Sequence, residues 1–459
     1  MSGLFGSLGI AARALEAQRT GLDVVGQNMA NVNTAGYSRR EVDFAEVPPY
    51  ERFGAGNGVE VEGIRAVRDM LLERRYRQEL PTQSRASAIA DQLAVVETAL
   101  GKPGESIDKK LTAFFDSFSS LAQDPTSATA RQQVVVQAQS LATAFHDMSS
   151  RLDSAQRSAD ASIVGAVDQT NSLVTEISQL NVAIAQANGA GADAQSLKDQ
   201  QNEAVNKLAK LIDVSVMQRQ DGGVDVTFGA GHPLVIGEVT YSLVSNPVGP
   251  LGLSQLMSNG IDVTSEIKGG SIGGLLQVRD SMVPQYRNDL DQIAYTVTNQ
   301  VNTLHDAGFD LSGNGAGVFF TALGSASGAA AAIAVDPAVA ADPSLVAAAS
   351  IASPGDNQTA RAISALRDAR VMSGNTATMN DSWGRIIYRA GTDSATAKSE
   401  VGSHDEIVRQ MEGLRDATSG VSLDEEAMSM LKFQRAYEAS AKFFTTINGA
   451  LDTLMNMVS

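Results

Sequence analysis

The feature that most constrains this chain is a regular 3–4–3–4 spacing of mainly apolar residues at both of its ends. Near the start, the positions are Leu8, Ala11, Leu15, Gln18, Leu22, Val25, Met29 and Val32. Near the other end, they are Met430, Phe433, Tyr437, Ser440, Phe444, Ile447, Leu451, Leu454 and Val458. Such spacing keeps a narrow apolar stripe on one side of a helix, as in a coiled-coil seam. Two terminal seams can pair with each other, with other copies or with both, which favours a function in assembly.

A second interpretation of the stripes stays open, because helices that are half-buried in one globular domain also carry apolar repeats. Against it, an uncovered stripe of more than three heptads would expose enough apolar surface to favour aggregation. Gly21 and Gly26 each weaken the first helix by about 1 kcal/mol relative to Ala. We therefore expect the first helix to be stable only when its seam is covered.

Composition narrows the classes of protein. The 459 residues are 43% hydrophobic, which is sufficient for about two to four domains with buried cores. The absence of cysteine excludes a disulfide framework and thiol catalysis. Residues 1–85 contain eleven Arg and eleven acidic residues, so the remaining 374 residues carry the whole net charge of −17. An acidic body repels DNA and anionic membranes, and we expect no nucleic-acid partner.

The sequence shows no recognisable targeting signal. No stretch of about 18 apolar residues is present, so we expect no membrane span. Residues 1–12 are small and apolar, but they lack a basic n-region and an A-x-A cleavage site. We therefore expect no cleavable signal peptide.

Periodicity and turn residues predict a mainly α fold, with paired coiled-coil-like helices at the termini, a nested helical-bundle domain and a small β-rich inserted domain. Alternating residues at 39–67 predict a short β-hairpin or an extended excursion, and Val, Thr and Gly become frequent after Val214. The predicted division is 1–68 (N-terminal helix plus an extended or β excursion), 69–213 (helical domain, first part), 214–272 (β-rich insertion), 273–307 (helical domain, continued), 308–356 (Gly-, Ala- and Ser-rich loop region), 357–418 (helical domain, last part) and 419–459 (C-terminal helix).

Three local features lead to specific expectations. Pro81 lies inside a helical pattern and is expected to interrupt or kink that helix. The low-complexity composition of residues 308–355 favours a loop-rich, mobile stretch rather than a second core. Glu425 and Glu426 are interpreted as a solvated face near a helix start, where they complement the helix dipole.

No residue pattern indicates catalysis. The four histidines are His146, His232, His305 and His404. They lie far apart and lack zinc-site spacing, so they are predicted to have structural or surface roles. Residues 313–317 contain three glycines but follow no clean strand, and a plain turn is favoured over a dinucleotide loop. Calcium is a minor alternative for the oxygens of Asp306, Asp310, Ser312 and Asn314. The sequence therefore predicts a non-enzyme without catalytic residues, cofactor or metal.

The segment after the first helix carries a long motif. It includes Asn28, Met29, Ala30, Asn31, Val32, Asn33, Thr34, Ala35, Gly36, Tyr37, Ser38 and Arg39. This motif resembles the signature of bacterial flagellar axial proteins, and its extended form is similar to that of the hook-associated protein 1 family. Residues 301–311 with Phe319 and Phe320, and the terminal segment 425–447, are also similar to that family. The resemblance covers nearly the whole chain.

The resemblance implies a structural subunit at the junction between hook and filament, in an extracellular flagellum, exported by the flagellar type III apparatus. The implied partners are other copies of the chain, the hook protein, the second hook-associated junction protein and an export chaperone at the C-terminal helix. Another axial protein, of the hook or distal rod, is the first alternative, and a secreted adhesin or enzyme is the second. The chain is short for the family, and the segment around Asp199 lacks the usual Arg-Asp pair.

Overall fold

The structure is a computed structural model that describes residues 2–34, 36–48, 57–101, 107–248, 251–353 and 355–458. It is 66% helical and has long helices at both ends, so the predicted mainly α fold is confirmed. The helices are α1 (Ser2–Ala30), α2 (Met70–Leu100), α3 (Ile107–Gln123), α4 (Ala128–Gly189), α5 (Gln195–Leu211), α6 (Gly270–Gln277), α7 (Val283–Asp306), α8 (Ala329–Ala332), α9 (Pro337–Ala341), α10 (Gln358–Ala365), α11 (Met379–Ser419) and α12 (Leu423–Val458). Short 3₁₀ turns occupy Thr264–Glu266 and Pro343–Leu345, and a π-helical turn occupies Val278–Met282.

The strands form three small antiparallel sheets among the described residues. They are β1 (Arg40–Glu46), β2 (Val59–Ala66), β3 (Val214–Gln218), β4 (Val224–Phe228), β5 (His232–Ile236), β6 (Val239–Thr240), β7 (Leu243–Val248), β8 (Leu253–Ser258) and β9 (Ile261–Asp262). The strand orders are β1-β2, β3-β4-β5-β6 and β7-β8-β9. The hairpin predicted at 39–67 and the β-rich stretch predicted after Val214 are thus both present.

The chain divides into two compact units. The terminal unit comprises residues 1–83, 169–243 and 404–459, and the central unit comprises residues 84–168 and 244–403. The seven-part domain division follows changes in secondary structure and stays a prediction.

Within the terminal unit, one amide anchors the four-stranded sheet to α4. Asn181 Nδ2 donates to Val224 O (2.8 Å) and Gly237 O (2.6 Å), while its Oδ1 accepts from Val224 N (2.8 Å) and Gln201 Nε2 (2.7 Å). These bonds satisfy both donors and both acceptors of the buried side chain. The sheet is therefore held by a specific contact as well as by its apolar face.

Pro81 does not interrupt the helix in which it lies. α2 is continuous from Met70 to Leu100, so the expected interruption is wrong, while the alternative of a kink stays a prediction. Proline in a helix interior costs about 3 kcal/mol, through a lost hydrogen bond and a steric clash. The flanking turn compensates, because Tyr76 and Leu80 are buried in one apolar cluster with Ala209 and Val408.

The central unit has a large apolar core, to which residues 308–356 contribute directly. Phe319 and Phe320 are fully buried, and their ring centroids lie 5.9 and 5.7 Å from that of Phe114. Ile333 and Val346 are also fully buried in this core. The stretch is loop-rich, as predicted, and it packs into the core of the central unit rather than forming a second one; its mobility stays a prediction. Its small residues allow irregular backbone to pack closely against helices.

Two polar side chains of α7 hold this stretch in place. Asn302 Oδ1 accepts from Phe319 N (3.0 Å) and Phe320 N (2.8 Å), and its Nδ2 donates to Phe320 O (2.8 Å). His305 is fully buried, with Nδ1 2.8 Å from Gly317 O and Nε2 2.9 Å from Ala347 N. Because Gly317 O accepts and Ala347 N donates, the ring is neutral and carries its proton on Nδ1.

We expect acid to destabilise the central unit through His305. Burial lowers the pKa of this histidine from 6.5 to about 4. Since the folded pKa lies below the unfolded pKa, the stabilising contribution is complete above pH 6.5 and is lost as the pH falls toward 4. The loss in free energy of unfolding reaches about 3 kcal/mol, and urea unfolding at stepped pH measures it. His305→Gln keeps a donor and an acceptor but does not titrate. An unchanged pH dependence in that variant would contradict the assignment.

Candidate assembly site

The motif after α1 forms a compact turn that reverses the chain into β1. Asn31 Nδ2 donates to Gln27 O (2.9 Å), and Thr34 N donates to Asn31 O (2.9 Å). Thr34 Oγ1 also donates to Asn31 Oδ1 at 3.1 Å. Gly36 has φ +80°, a left-handed conformation that a side chain disfavours. The Asn, Thr and Gly residues of the motif therefore shape the turn, as their chemistry predicts.

Asn28 is the centre of the site. Its Nδ2 donates to Arg40 O (2.9 Å) and Glu426 Oε2 (3.1 Å). Its Oδ1 accepts from Arg40 N (3.0 Å) and Tyr37 OH (2.9 Å). The residue is 1% exposed, and all four hydrogen-bonding positions of the amide are used. One side chain thus joins the end of α1 to β1 and to the first turn of α12.

Glu426 is the charged member of the network. It is 1% exposed, and Arg39 Nε donates to its Oε1 at 2.8 Å. Arg39 NH1 also lies 3.2 Å from Glu425 Oε2, and Arg39 N donates to Ser419 O at 2.9 Å. The interpretation of both glutamates as a solvated face is wrong for Glu426, because its carboxylate is enclosed by donors from the N-terminal segment. Glu425 remains largely exposed, as expected.

A second ion cluster fastens the strand to α5. Asp199 forms ion pairs with Arg68 and with Arg40 NH2, the latter at 3.4 Å. Arg68 Nε donates to Ser38 Oγ at 2.7 Å, and the Arg40 guanidinium lies 5.0 Å from the centre of the Tyr37 ring. Burial raises the pKa of Asp199, while the two arginines act in the opposite direction. Sequence reasoning noted a missing Arg-Asp pair at this segment but did not identify these distant arginines.

The terminal helices pack against each other in antiparallel orientation. Gly21 lies against Phe433 and Asn28 lies against Glu426. Residue numbers therefore increase along α1 in the direction in which they decrease along α12. A Cβ added at Gly21 would lie 2.7 Å from the Phe433 ring. That ring also lies 6.3 Å, between centroids, from Phe44 on β1. The glycine that weakens the isolated helix therefore makes room for an aromatic side chain of its partner.

The predicted seam residues lie mostly on covered or half-covered faces. In α1, Ala11 and Val25 are buried, and the other predicted positions are half-buried, namely Leu8, Leu15, Gln18, Leu22 and Met29. In α12, Ile447 is buried, and four other predicted seam residues are half-buried: Met430, Phe433, Phe444 and Leu451. Tyr437 and Leu454 are 40% and 39% exposed. The side chain of Val458 lies outside the described residues. The assembly role of these residues stays a prediction.

The best-buried stripe of α1 is displaced by one residue from much of the predicted seam. It comprises Ala17, Gly21, Val24 and Asn28. The displacement follows from packing on two sides, because α1 contacts the β1-β2 hairpin as well as α12. Of the motif, Ala30, Asn33 and Thr34 are exposed, whereas Ser38 is buried.

Asp310, one of the residues considered as a calcium ligand, forms local hydrogen bonds. Asp310 Oδ1 accepts from Ser312 N and Asn314 N, each at 2.8 Å, and so closes the glycine-rich turn. Within the described residues, no group of three or more His, Cys, Asp or Glu could hold a metal ion. None of the described helices has the length and apolar character needed to cross a membrane.

We predict that Gly21→Ala weakens the pairing of α1 with α12 by about 1–3 kcal/mol, because the added methyl group overlaps the Phe433 ring. Gly26→Ala is the matched control, since nothing lies within 4 Å of its added Cβ. That control should gain up to about 1 kcal/mol from helix propensity. Hydrogen exchange of the α1 and α12 amides measures both effects, and equal responses would exclude the close approach.

We also predict that Asn28→Asp costs at least about 3 kcal/mol, because it removes two donors and places a carboxylate beside that of Glu426. Asn28→Asp/Glu426→Gln removes the repulsion and should recover part of the loss. Denaturant unfolding and hydrogen exchange report both variants. A double variant no more stable than the single one would show that the two side chains are not coupled.

Three segments of the chain match known protein families. Residues 93–320 match the helical domain of the flagellar hook-associated protein FlgK. Residues 8–37 match the flagella basal body rod protein family, and residues 416–457 match the C-terminal family of the flagellar basal body rod FlgEFG proteins. The two terminal matches cover most of α1 and of its motif, and nearly all of α12 including Glu426.

Full-length relatives and a solved structure extend the comparison. Flagellar hook-associated protein 1 of Escherichia coli K12 is 25% identical, over 97% of this chain and 98% of that protein. Its Bacillus subtilis 168 counterpart is 26% identical, over 99% of each. The hook junction protein FlgK from Burkholderia pseudomallei shares the fold, with a TM-score of 0.68 and 17% identity over 75% of this chain and all of that chain. These near full-length matches show that the chain belongs to the flagellar hook-associated protein 1 family.

Proposed function

We propose that this chain is the structural subunit of the junction between hook and filament, and that it assembles through α1 and α12. The observation that carries the proposal is the antiparallel pair of terminal helices, which the motif network ties to β1 and α5. The network gives the pair a defined geometry within the subunit. The predicted seam and motif residues are proposed as the residues that carry assembly.

The outer surface of α12 supports contacts beyond the subunit. Several large apolar side chains of this helix remain exposed after it pairs with α1: Met428 (64%), Leu431 (60%), Phe443 (48%), Met455 (71%) and Met457 (79%). Exposed apolar surface of this kind marks interaction sites on proteins. The pairing of α1 with α12 therefore leaves part of the apolar surface of the terminal helix for neighbours.

The central match separates the junction subunit from other axial proteins. The terminal segments match families of rod proteins, whereas residues 93–320 match the helical domain of the hook-associated protein. A hook or distal rod protein is the alternative that shares only the terminal features. Immunolocalisation on intact flagella distinguishes the two positions. The family is structural, and a non-enzymatic role is part of the proposal.

Membership of the flagellar axial family places the chain with other flagellar proteins in an extracellular appendage. The proposed neighbours are further copies of the chain in a ring or helical zone, the hook protein and the second hook-associated protein. Before assembly, the exposed apolar side chains of α12 would suit an export chaperone, and flagellar type III export without a cleavable signal is the proposed route. A cryo-electron microscopy map of the junction tests the neighbours directly.

We predict that Leu431→Asp strongly reduces filament formation without unfolding the isolated subunit. Leu431 is 60% exposed, so the charge is solvated in the free chain but would be buried unpaired in the assembly. Gln434→Asp adds the same charge at an exposed polar position of the same helix. Filament counts by electron microscopy, in a strain that produces only the variant, measure the effect. Normal counts for Leu431→Asp would contradict this assembly surface.

A further inference from the structure

The outer edge of β3 is unpaired in the described part of the terminal unit. β3 is the first strand of the order β3-β4-β5-β6 and pairs only with β4. At the hairpin turn, Arg219 N donates to Gly223 O, and the register then pairs Gln218 with Val224. Because hydrogen-bonded pairs alternate in antiparallel ladders, Val216 and Gln218 direct their backbone N–H and C=O groups outward. The edge therefore offers free backbone donors and acceptors.

A groove runs along this edge. It has a volume of about 650 Å³ and is bordered by all five residues of β3 and by the first turns of α2. Successive side chains of a strand point to opposite faces, so a groove that contacts five consecutive residues follows the backbone edge. Its width is limited on one side by a helix and on the other by a strand. Such a site accepts an extended polypeptide rather than a compact ligand.

The helical wall of the groove carries two arginines, Arg74 and Arg77, and one carboxylate, Glu73. Arg74 has no carboxylate within ion-pair distance among the described residues. Arg77 bonds only to neutral amide oxygens, Asn206 Oδ1 from its Nε and Asn202 Oδ1 from its NH2, both at 3.3 Å. Burial lowers the pKa of Arg77, with the Glu73 carboxylate acting in the opposite direction. Two guanidinium groups against one carboxylate leave this wall locally positive, which favours an acidic occupant.

We propose that the groove between β3 and the start of α2 is a docking site for an acidic, extended polypeptide segment of a partner protein. The segment adds a strand to the outer edge of β3, where the outward backbone groups of Val216 and Gln218 pair with it. Its carboxylates meet Arg74 and Arg77, and these contacts select acidic sequences. None of the residues that line the groove belongs to α1 or α12, so the proposal does not depend on the junction role.

Binding of a labelled peptide to the full chain tests the proposal. The probe is a fluorescein-labelled heptapeptide, Thr-Glu-Val-Glu-Val-Glu-Thr, and its control carries Lys in place of each Glu. We expect saturable binding of the acidic probe, seen as a rise in fluorescence anisotropy, and binding of the Lys probe at least about tenfold weaker. Equal binding of the two peptides overturns the proposal.

Two variants separate the charged contact from the backbone contact. Arg74→Glu should weaken binding at least about tenfold, whereas Arg75→Glu, the same charge change at an exposed neighbour that does not border the groove, should stay within about twofold. Val216→Pro removes an outward N–H without removing a bond to β4, and should also weaken binding about tenfold. Equal losses for Arg74→Glu and Arg75→Glu, or full binding by Val216→Pro, would overturn the site.

Sedimentation of the unlabelled chain tests whether a second copy of the chain occupies the groove. If the chain associates with itself at the assay concentrations, and Arg74→Glu abolishes that association, a second copy occupies the groove. That result replaces the partner proposed here. A monomeric chain that binds the acidic probe supports it.

Discussion

The terminal unit depends on the buried side-chain amide of Asn28, all of whose hydrogen-bonding positions are used. Asn28 joins α1, β1 and α12 through four hydrogen bonds, and Glu426 extends the network to Arg39. A buried polar group is costly unless every bond is made, and a satisfied network specifies one geometry. The apolar seams alone would allow the two helices to slide by a turn or more. The amide and the carboxylate set their register, because Asn28 meets Glu426 at only one alignment.

Close approach of the helices depends on the same register. Gly21 lies opposite Phe433 when Asn28 lies opposite Glu426, and any larger residue at position 21 would meet the ring. The cost of glycine in a helix, about 1 kcal/mol, is offset by burial of an aromatic side chain. Polar and apolar contacts thus select the same pairing. Agreement between independent contacts is what gives a sequence a single well-defined structure.

Much of the fold could be predicted from local sequence patterns. The long helices, the hairpin at 39–67 and the β-rich stretch after Val214 follow from periodicity and turn residues. The continuity of α2 and the packing of residues 308–356 into the central core could not be predicted in the same way. The continuity of α2 depends on burial of Tyr76 and Leu80, and the packing of the Gly- and Ala-rich stretch depends on Asn302 and His305. A Gly- and Ala-rich composition does not reveal whether residues distant in the sequence will fix the backbone of such a stretch.

The sequence by itself determined that both termini form helices with an apolar stripe, that a specific turn follows the first helix, and that the chain resembles flagellar axial proteins. Each of these conclusions rests on residues within a few turns of one another. Only the tertiary structure decided which stripe of α1 is buried, where the carboxylate of Glu426 lies and which arginines meet Asp199. Asn28 and Glu426 are 398 positions apart, and Arg40 and Asp199 are 159 apart. Periodicity carries no information across such separations, because those contacts form only once the fold has brought the elements together.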